Sequence, residues 1–95
     1  MTAEEKVFPQ NANFLLACLR ESAAVQNWIE QIRRGDAGAI VYVGVMYGVR
    51  HEYRFTFTET SAGTSILIET DEPGAREEIL RQFLLLEKII AEDKG

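Results

Sequence analysis

The sequence has few of the residues that usually carry chemistry in a small protein. Cys18 is the single cysteine and His51 the single histidine, so an internal disulfide is excluded and a zinc site is not expected. Uninterrupted apolar runs extend over only a few residues, whereas a membrane-spanning helix needs about 20. The opening MTAEEKVFPQ has no apolar region of the kind that signal peptides contain. We therefore expect a cytoplasmic protein with no membrane segment, metal or cofactor.

Positive charge is also scarce. The chain has 10 lysine and arginine residues against 15 acidic residues, which gives a net charge of −5. Proteins that bind nucleic acids gain much of their affinity from lysine and arginine contacts with phosphates. Binding to DNA or RNA is therefore not expected. The residues from which a local basic patch would be built are Arg33, Arg34, Arg50, Arg54 and Arg76.

The remaining composition is that of a folded globular protein. Hydrophobic residues make up 46% and charged residues 26% of the chain, close to the average for soluble domains. Because 95 residues are too few for two cores, we expect one domain. Residues 1–10 have mixed charge, a proline and no periodic pattern, so we interpret them as a flexible N-terminal arm or a short edge segment. Residues 11–95 form the single predicted α+β domain.

The first periodic segment begins at Asn11. Its apolar side chains fall within about 140° of one another on a helical wheel. This pattern predicts an amphipathic helix from a cap at Asn11 or Asn13 to Gly35, since glycine is common just beyond a helix C-terminus. The residues of the stripe are Phe14, Leu15, Cys18, Val25, Trp28, Ile29 and Ile32.

Two segments rich in β-branched and aromatic residues follow, at 39–49 and 51–60, and predict an antiparallel hairpin. A three-residue connection at 48–50 places Val43 opposite Phe55 and unites the valines with the aromatic residues on one face. A two-residue turn at 48 and 49 would place Val43 opposite Arg54, so we favour the longer connection. The predicted opposite face contains Ile40, Tyr42, Gly44, Met46, Arg54, Thr56, Thr58 and Leu67.

The turn TSAG at 60–63 leads into a third strand, with Ile66 opposite Phe57 and Ile68 opposite Phe55. A second helix is predicted from a cap at residue 71 or 72 to about residue 92. The predicted fold class is therefore α+β: helix, three-stranded antiparallel meander and helix, with both helices packed on one face of the sheet. This order is also that of double-stranded RNA-binding domains. The last helix of those domains begins with lysines. The corresponding segment here is EPGAREEIL, which has more acidic than basic residues.

No catalytic residue is predicted. Cys18 lies within the apolar stripe of the first helix, where we expect a small buried hydrophobe rather than a nucleophile. His51 lies at the hairpin connection beside Arg50, where we expect a solvated or packing role. The acidic residues show no spacing that singles out an acid–base pair. These observations predict that the protein is not an enzyme.

The segment FLLLEKII at 83–90 has more apolar residues than one helix face can use. A stripe that includes Phe83, Leu86 and Ile90 suffices to cover the sheet, so the other apolar side chains need a partner. Three explanations remain: isolated surface residues, a cover formed by the N-terminal arm, or self-association. The residues of the predicted interface are Leu84, Leu85, Ile89, Leu16 and Leu19.

We favour self-association among these explanations. The leading functional prediction is a non-catalytic, homodimeric protein-interaction module of a small acidic, bacterial-type protein, with any further protein partner unidentified. The alternative is a small-molecule-binding protein with a pocket between sheet and helices, lined by Trp28, Tyr47, Tyr53 and Phe55. Core packing is the competing explanation for those four aromatic residues. A nucleic-acid-binding dimer is a third, less favoured function.

Overall fold

The computed structural model describes residues 1–94 and shows an α+β fold. The elements in chain order are β1 (Thr2–Phe8), α1 (Ala12–Ala24), β2 (Ile29–Arg34), a 3-10 turn (Asp36–Gly38), β3 (Ile40–Met46), β4 (Val49–Thr60), β5 (Gly63–Thr70) and α2 (Arg76–Lys94). All strand pairs are antiparallel, and they form one sheet in the order β1-β5-β4-β3-β2. Strands β1 and β2 are therefore the two edges of the sheet.

The sheet has five strands rather than the predicted three, so the predicted class is right in its α+β character and wrong in its strand count. One added strand is β1, in the segment interpreted as a flexible arm or a short edge segment. It pairs with β5 at every position from Thr2 to Phe8. Most of its residues are exposed, which explains why no apolar alternation marks it in the sequence.

The other added strand comes from the predicted first helix. Asn11 caps α1 as predicted, because its side-chain oxygen accepts a hydrogen bond of 2.8 Å from the N–H of Phe14. The helix ends at Ala24, however, and the segment beyond it forms β2. Pairing of β2 with β3 is interrupted by a bulge between Ile29 and Gln31. A bulge breaks the alternation of side chains, so the apolar spacing resembles that of a helix.

The β3–β4 connection is a two-residue turn at Tyr47 and Gly48, which have φ of 52° and 77°. Two successive positive φ values are typical of a type I′ turn, whose twist matches that of the paired strands. Asparagine and glycine favour this conformation, whereas tyrosine does not. The sequence Tyr-Gly therefore gives little indication of the turn, and the predicted three-residue connection is wrong.

The shorter turn changes which residues of β3 face the helices. Ile40 lies opposite Phe55, where Val43 was predicted. The observed and predicted registers differ by three residues. Because this number is odd, β3 presents to the core the face that was predicted to point away from it. Ile40 and Tyr42 are buried beneath the helices, while Val41 and Val43 lie on the open face beside the long side chains of neighbouring strands.

The β4–β5 register is the predicted one, with Ile66 opposite Phe57 and Ile68 opposite Phe55. Helix α2 is also confirmed, although it begins at Arg76 rather than at residue 71 or 72. The residues between β5 and α2 form a turn that lies next to the tip of the β3–β4 hairpin. No helix within residues 1–94 has the length and apolar character required to cross a membrane.

Both helices contribute to a single core on one face of the sheet. Tyr42, Tyr53 and Phe55 are almost completely buried there. The ring centroids of Tyr42 and Phe55 are 4.5 Å apart, and those of Phe8 and Phe83 are 6.2 Å apart. The second pair fixes the end of β1 against α2, because aromatic contacts of this kind add to the stabilisation from burial.

Candidate ligand cleft

A cleft of about 320 Å³ lies between the tip of the β3–β4 hairpin and the start of α2. The type I′ turn sets one wall, and alternate residues of β4 point toward the helix layer and form the floor. The loop from β5 to α2 and the first turns of α2 form the opposite wall. The lining residues are Met46, Tyr47, His51, Tyr53, Glu72, Gly74, Ala75, Glu77, Glu78 and Arg81.

The floor of the cleft is a hydrogen-bonded group of three side chains. The Nδ1 atom of His51 lies 2.7 Å from Oε2 of Glu72, and the Tyr53 hydroxyl donates to the same oxygen over 3.2 Å. His51 is 9% exposed and Tyr53 is fully buried, so each polar group needs such a partner. The loop is itself tied to β1, because the Thr2 hydroxyl donates to the backbone oxygen of Glu72 at 3.0 Å. Glu72 therefore has a defined position at the floor.

These floor groups are already occupied by protein partners. The Nε2 atom of His51 lies 3.3 Å from the backbone oxygen of Met46, so both ring nitrogens face acceptors. Burial, followed by the nearby charge of Glu72, raises the pKa of Tyr53 well above its ordinary value. Its hydroxyl consequently stays protonated and donates to the carboxylate. Neither His51 nor Tyr53 presents a base to the cleft.

A buried amide pair supports the α2 wall of the cleft. Gln26 and Gln82 exchange hydrogen bonds of 2.9 and 2.7 Å between the end of α1 and α2. The Trp28 indole and Arg81 both donate to the same Gln26 oxygen, at 3.1 and 3.2 Å. Arg81 also forms an ion pair of 2.9 Å with Glu78. This network holds the Arg81 and Glu78 side chains in place at the wall.

The rim of the cleft is formed by Tyr47. Its side chain is 101% exposed, and its left-handed backbone costs about 1–2 kcal/mol in a residue other than glycine. Glu77 is exposed on the opposite wall. Together with Glu72 and Glu78, it gives the cleft three carboxylates, against the guanidinium of Arg81 and the imidazole of His51. Even with a protonated imidazole, the lining has excess negative charge.

The four residues of the predicted pocket separate into two groups. Tyr47 and Tyr53 line the cleft, whereas Trp28 and Phe55 belong to the core and do not line it. Sequence reasoning did not identify His51 and Glu72 as a pair. The two are distant in the sequence, and only the strand register places them together. The one signal for His51 was its position two residues before Tyr53 on the same strand face.

The residues of the predicted helix interface are divided between the surface and the core. Leu84 is 64% exposed, while Leu85 and Leu16 are half-buried. Leu19 and Ile89 are buried in the core. Leu16, Leu19 and Ile89 therefore pack in or against the core of the same chain.

Cys18 and several of the candidate arginines contact other residues of the chain. Burial, and to a lesser extent Asp93 and Glu21, raises the pKa of the Cys18 thiol to about 11, so the thiol is protonated at neutral pH. On the open sheet face, Arg33 and Arg50 of the predicted basic patch both pair with Glu52. Within residues 1–94, no three or more histidine, cysteine or acidic side chains are grouped so that they could hold a metal ion.

Comparison with known proteins provides no relative. No protein family, curated protein or solved structure matches this chain. The function is therefore inferred from the geometry of the cleft.

Proposed function

We propose that the protein is a non-catalytic binding protein whose cleft takes a small ligand carrying an organic cation, such as an amine or quaternary ammonium group. The observation that carries this proposal is the position of Tyr47. A fully exposed aromatic ring stands at the rim of a polar cleft that has more carboxylates than cationic groups. The ring face and the carboxylates together suit a cation.

The backbone conformation of Tyr47 supports a role for its side chain other than stabilising the fold. A type I′ turn forms with less strain when asparagine or glycine occupies this position. The Tyr47 ring is completely exposed, so it returns little packing energy to the folded chain. A ring that is exposed and conformationally costly is explained by contact with a ligand.

The charge of the cleft selects the ligand class. Glu72 and Glu78 already accept hydrogen bonds from protein groups, and Glu77 is exposed on the wall. A cation that approaches the Tyr47 face meets this carboxylate wall. An anionic ligand would meet the same carboxylates without enough positive charge to balance them.

The state of the floor favours binding rather than catalysis. Both nitrogens of His51 face acceptors of the protein, and the Tyr53 hydroxyl is bound to Glu72. General acid–base catalysis requires a group that can exchange a proton with a bound substrate. The floor side chains instead hold the ligand site in a fixed shape.

The proposal is tested by titrating the ¹⁵N-labelled protein with choline and following amide chemical shifts. We expect shifts in the hairpin tip and the first turns of α2, with a Kd on the order of 1 mM. The uncharged carbon isostere 3,3-dimethylbutan-1-ol and acetate serve as matched probes. An equal response to the isostere would contradict a cation site, and the absence of shifts at the cleft with every probe would contradict ligand binding there.

The variant Tyr47→Asn separates the ring from the turn. Asparagine suits the left-handed backbone, so we expect the free energy of unfolding to rise by about 1 kcal/mol. Choline affinity should fall about fivefold or more, because a cation–aromatic contact contributes about 1 kcal/mol. Tyr47→Phe keeps the ring and should retain binding. Unchanged choline affinity in Tyr47→Asn would show that the ring is not part of the site.

A further inference from the structure

We propose that two copies of the chain associate through their β1 edges, around a two-fold axis, so that their sheets join into one antiparallel sheet. This surface is separate from the ligand cleft. The inference rests on three features: the regularity of the β1 edge, the order of its charges, and the position of Leu84.

The β1 edge is suited to strand pairing. Its ladder with β5 continues from Thr2 to Phe8 without a register shift. An edge strand of this kind presents backbone N–H and C=O groups that can pair with another strand. The opposite edge differs, because β2 contains a bulge between Ile29 and Gln31. Bulges of this kind hinder edge-to-edge pairing.

The charges of β1 select one register for the second copy. If the two-fold axis passes through Glu5, then Glu4 of each copy lies opposite Lys6 of the other. An axis at Glu5 also places Glu5 opposite its own copy, on the open face of the sheet, so this register has two opposite-charge pairs against one like-charge pair. An axis at Glu4 or at Lys6 would place that residue opposite its own copy and would form no pair between Glu4 and Lys6, which is less favourable. The register centred on Glu5 is therefore the complementary one on the helix side of the sheet.

Ion pairs within each copy extend this complementarity. Arg76 lies 2.8 Å from Glu4, and Lys6 is paired with Glu87. In the proposed register, four charged side chains form a row across the seam. They are Arg76 and Glu4 of one copy, followed by Lys6 and Glu87 of the other. Its charges alternate in sign, and the two-fold axis generates the same row twice.

Leu84 supplies an apolar contact at the same seam. It is 64% exposed and lines a cleft of about 380 Å³ together with Glu4, Glu5 and Lys6. The two-fold axis brings the Leu84 side chains of both copies toward the seam. A second copy therefore satisfies the backbone edge, the charges and the exposed leucine together, which identifies it as the occupant of this surface.

Sedimentation velocity across the micromolar range tests the dimer, with charge reversal as the decisive comparison. We expect the unaltered chain to dimerise and both Lys6→Glu and Glu4→Lys to weaken the dimer at least tenfold. The double variant Glu4→Lys/Lys6→Glu places opposite charges across the seam again and should restore part of the association. Restoration is only partial because the exchanged charges then lie beside Arg76 and Glu87 of like sign. A monomeric unaltered chain would overturn the proposal, as would a double variant that associates no better than the single variants.

Leu84→Glu tests the proposed seam, and Arg33→Glu is the control on the opposite edge of the sheet. Leu84 is exposed, so its replacement should preserve the circular dichroism spectrum while weakening the dimer at least tenfold. Arg33 lies on β2 and its replacement should leave the dimer unchanged. Dissociation by Arg33→Glu together with no effect of Leu84→Glu would assign self-association to another surface and overturn the β1 pairing.

Discussion

At one edge of the sheet, β1 is paired along its whole length and its end is buried under α2, whereas at the other edge β2 is bulged and mostly exposed. Phe8 anchors β1 with 4% exposure, while Ile32 of β2 is 41% exposed. The difference teaches that a strand's contribution to stability depends on what covers it, and that its capacity to pair depends on its regularity.

Each edge strand is also adjacent to a glycine that permits close backbone approach. A Cβ atom on Gly63 would lie 2.0 Å from the backbone oxygen of Phe8 at the end of β1. A Cβ atom on Gly44 would lie 1.9 Å from the backbone oxygen of Trp28 at the entrance to β2. The same oxygen of Trp28 accepts a hydrogen bond of 2.9 Å from the N–H of Val45. Glycine at both positions is therefore required for the edges to dock.

The largest effect is expected from removing the anchor of β1. Phe8→Ala should lower the free energy of unfolding by about 3–5 kcal/mol, because it empties a buried aromatic site beside Phe83. Ile32→Ala on β2 should lower it by less than about 1 kcal/mol, since that side chain is partly exposed. Urea denaturation measures both. Equal losses in the two variants would remove the contrast between the edges.

A smaller loss is expected when the docking of β2 is obstructed. Gly44→Ala should lower the free energy of unfolding by about 3 kcal/mol, because the added methyl group forces the Trp28 carbonyl to move. Val45→Ala, in the same strand, should cost less than about 1 kcal/mol. Thermal and urea unfolding provide the measurement. A Gly44→Ala variant as stable as Val45→Ala would show that the entrance to β2 adapts freely.

The smallest effect on stability is expected at the charged surface of β1. Lys6→Gln and Arg76→Gln remove exposed ion pairs, so each should change the free energy of unfolding by less than about 1 kcal/mol. The dimer should be weakened more by Lys6→Gln than by Arg76→Gln, because Lys6 lies at the proposed seam. Paired unfolding and sedimentation measurements distinguish the two roles. A large loss of stability from Lys6→Gln would assign this residue to the fold instead.

The regular parts of the fold could be predicted because local pattern and tertiary contacts agree there. The β4–β5 pairing follows from the alternation around Phe55 and Phe57 and from the turn that precedes Ile66. Helix α2 follows from its apolar stripe. The segment at Ile29 was assigned wrongly because its apolar spacing fits both a helix and a bulged strand. Pairing with β3 decides between them, and that pairing is not encoded locally.

The candidate cleft was predictable only in part. Tyr47 and Tyr53 were identified as aromatic lining, but the partner of His51 was not, since any of the 15 acidic residues is an equal candidate in the sequence. The predicted interface identified a surplus of apolar residues in the helices, but it did not identify which residues they contact. Leu19 and Ile89 are buried within the chain, and Leu84 remains exposed.

The sequence by itself determined the α+β class, the β4–β5 hairpin and the amphipathic character of both helices, because these follow from side-chain periodicity and turn chemistry. Tertiary structure alone decided that Thr2–Phe8 is a strand, that the Tyr47 turn directs Ile40 rather than Val43 into the core, and that Glu72 meets His51. The reason is that edge pairing, strand register and contacts between distant residues depend on free energies summed over the whole fold.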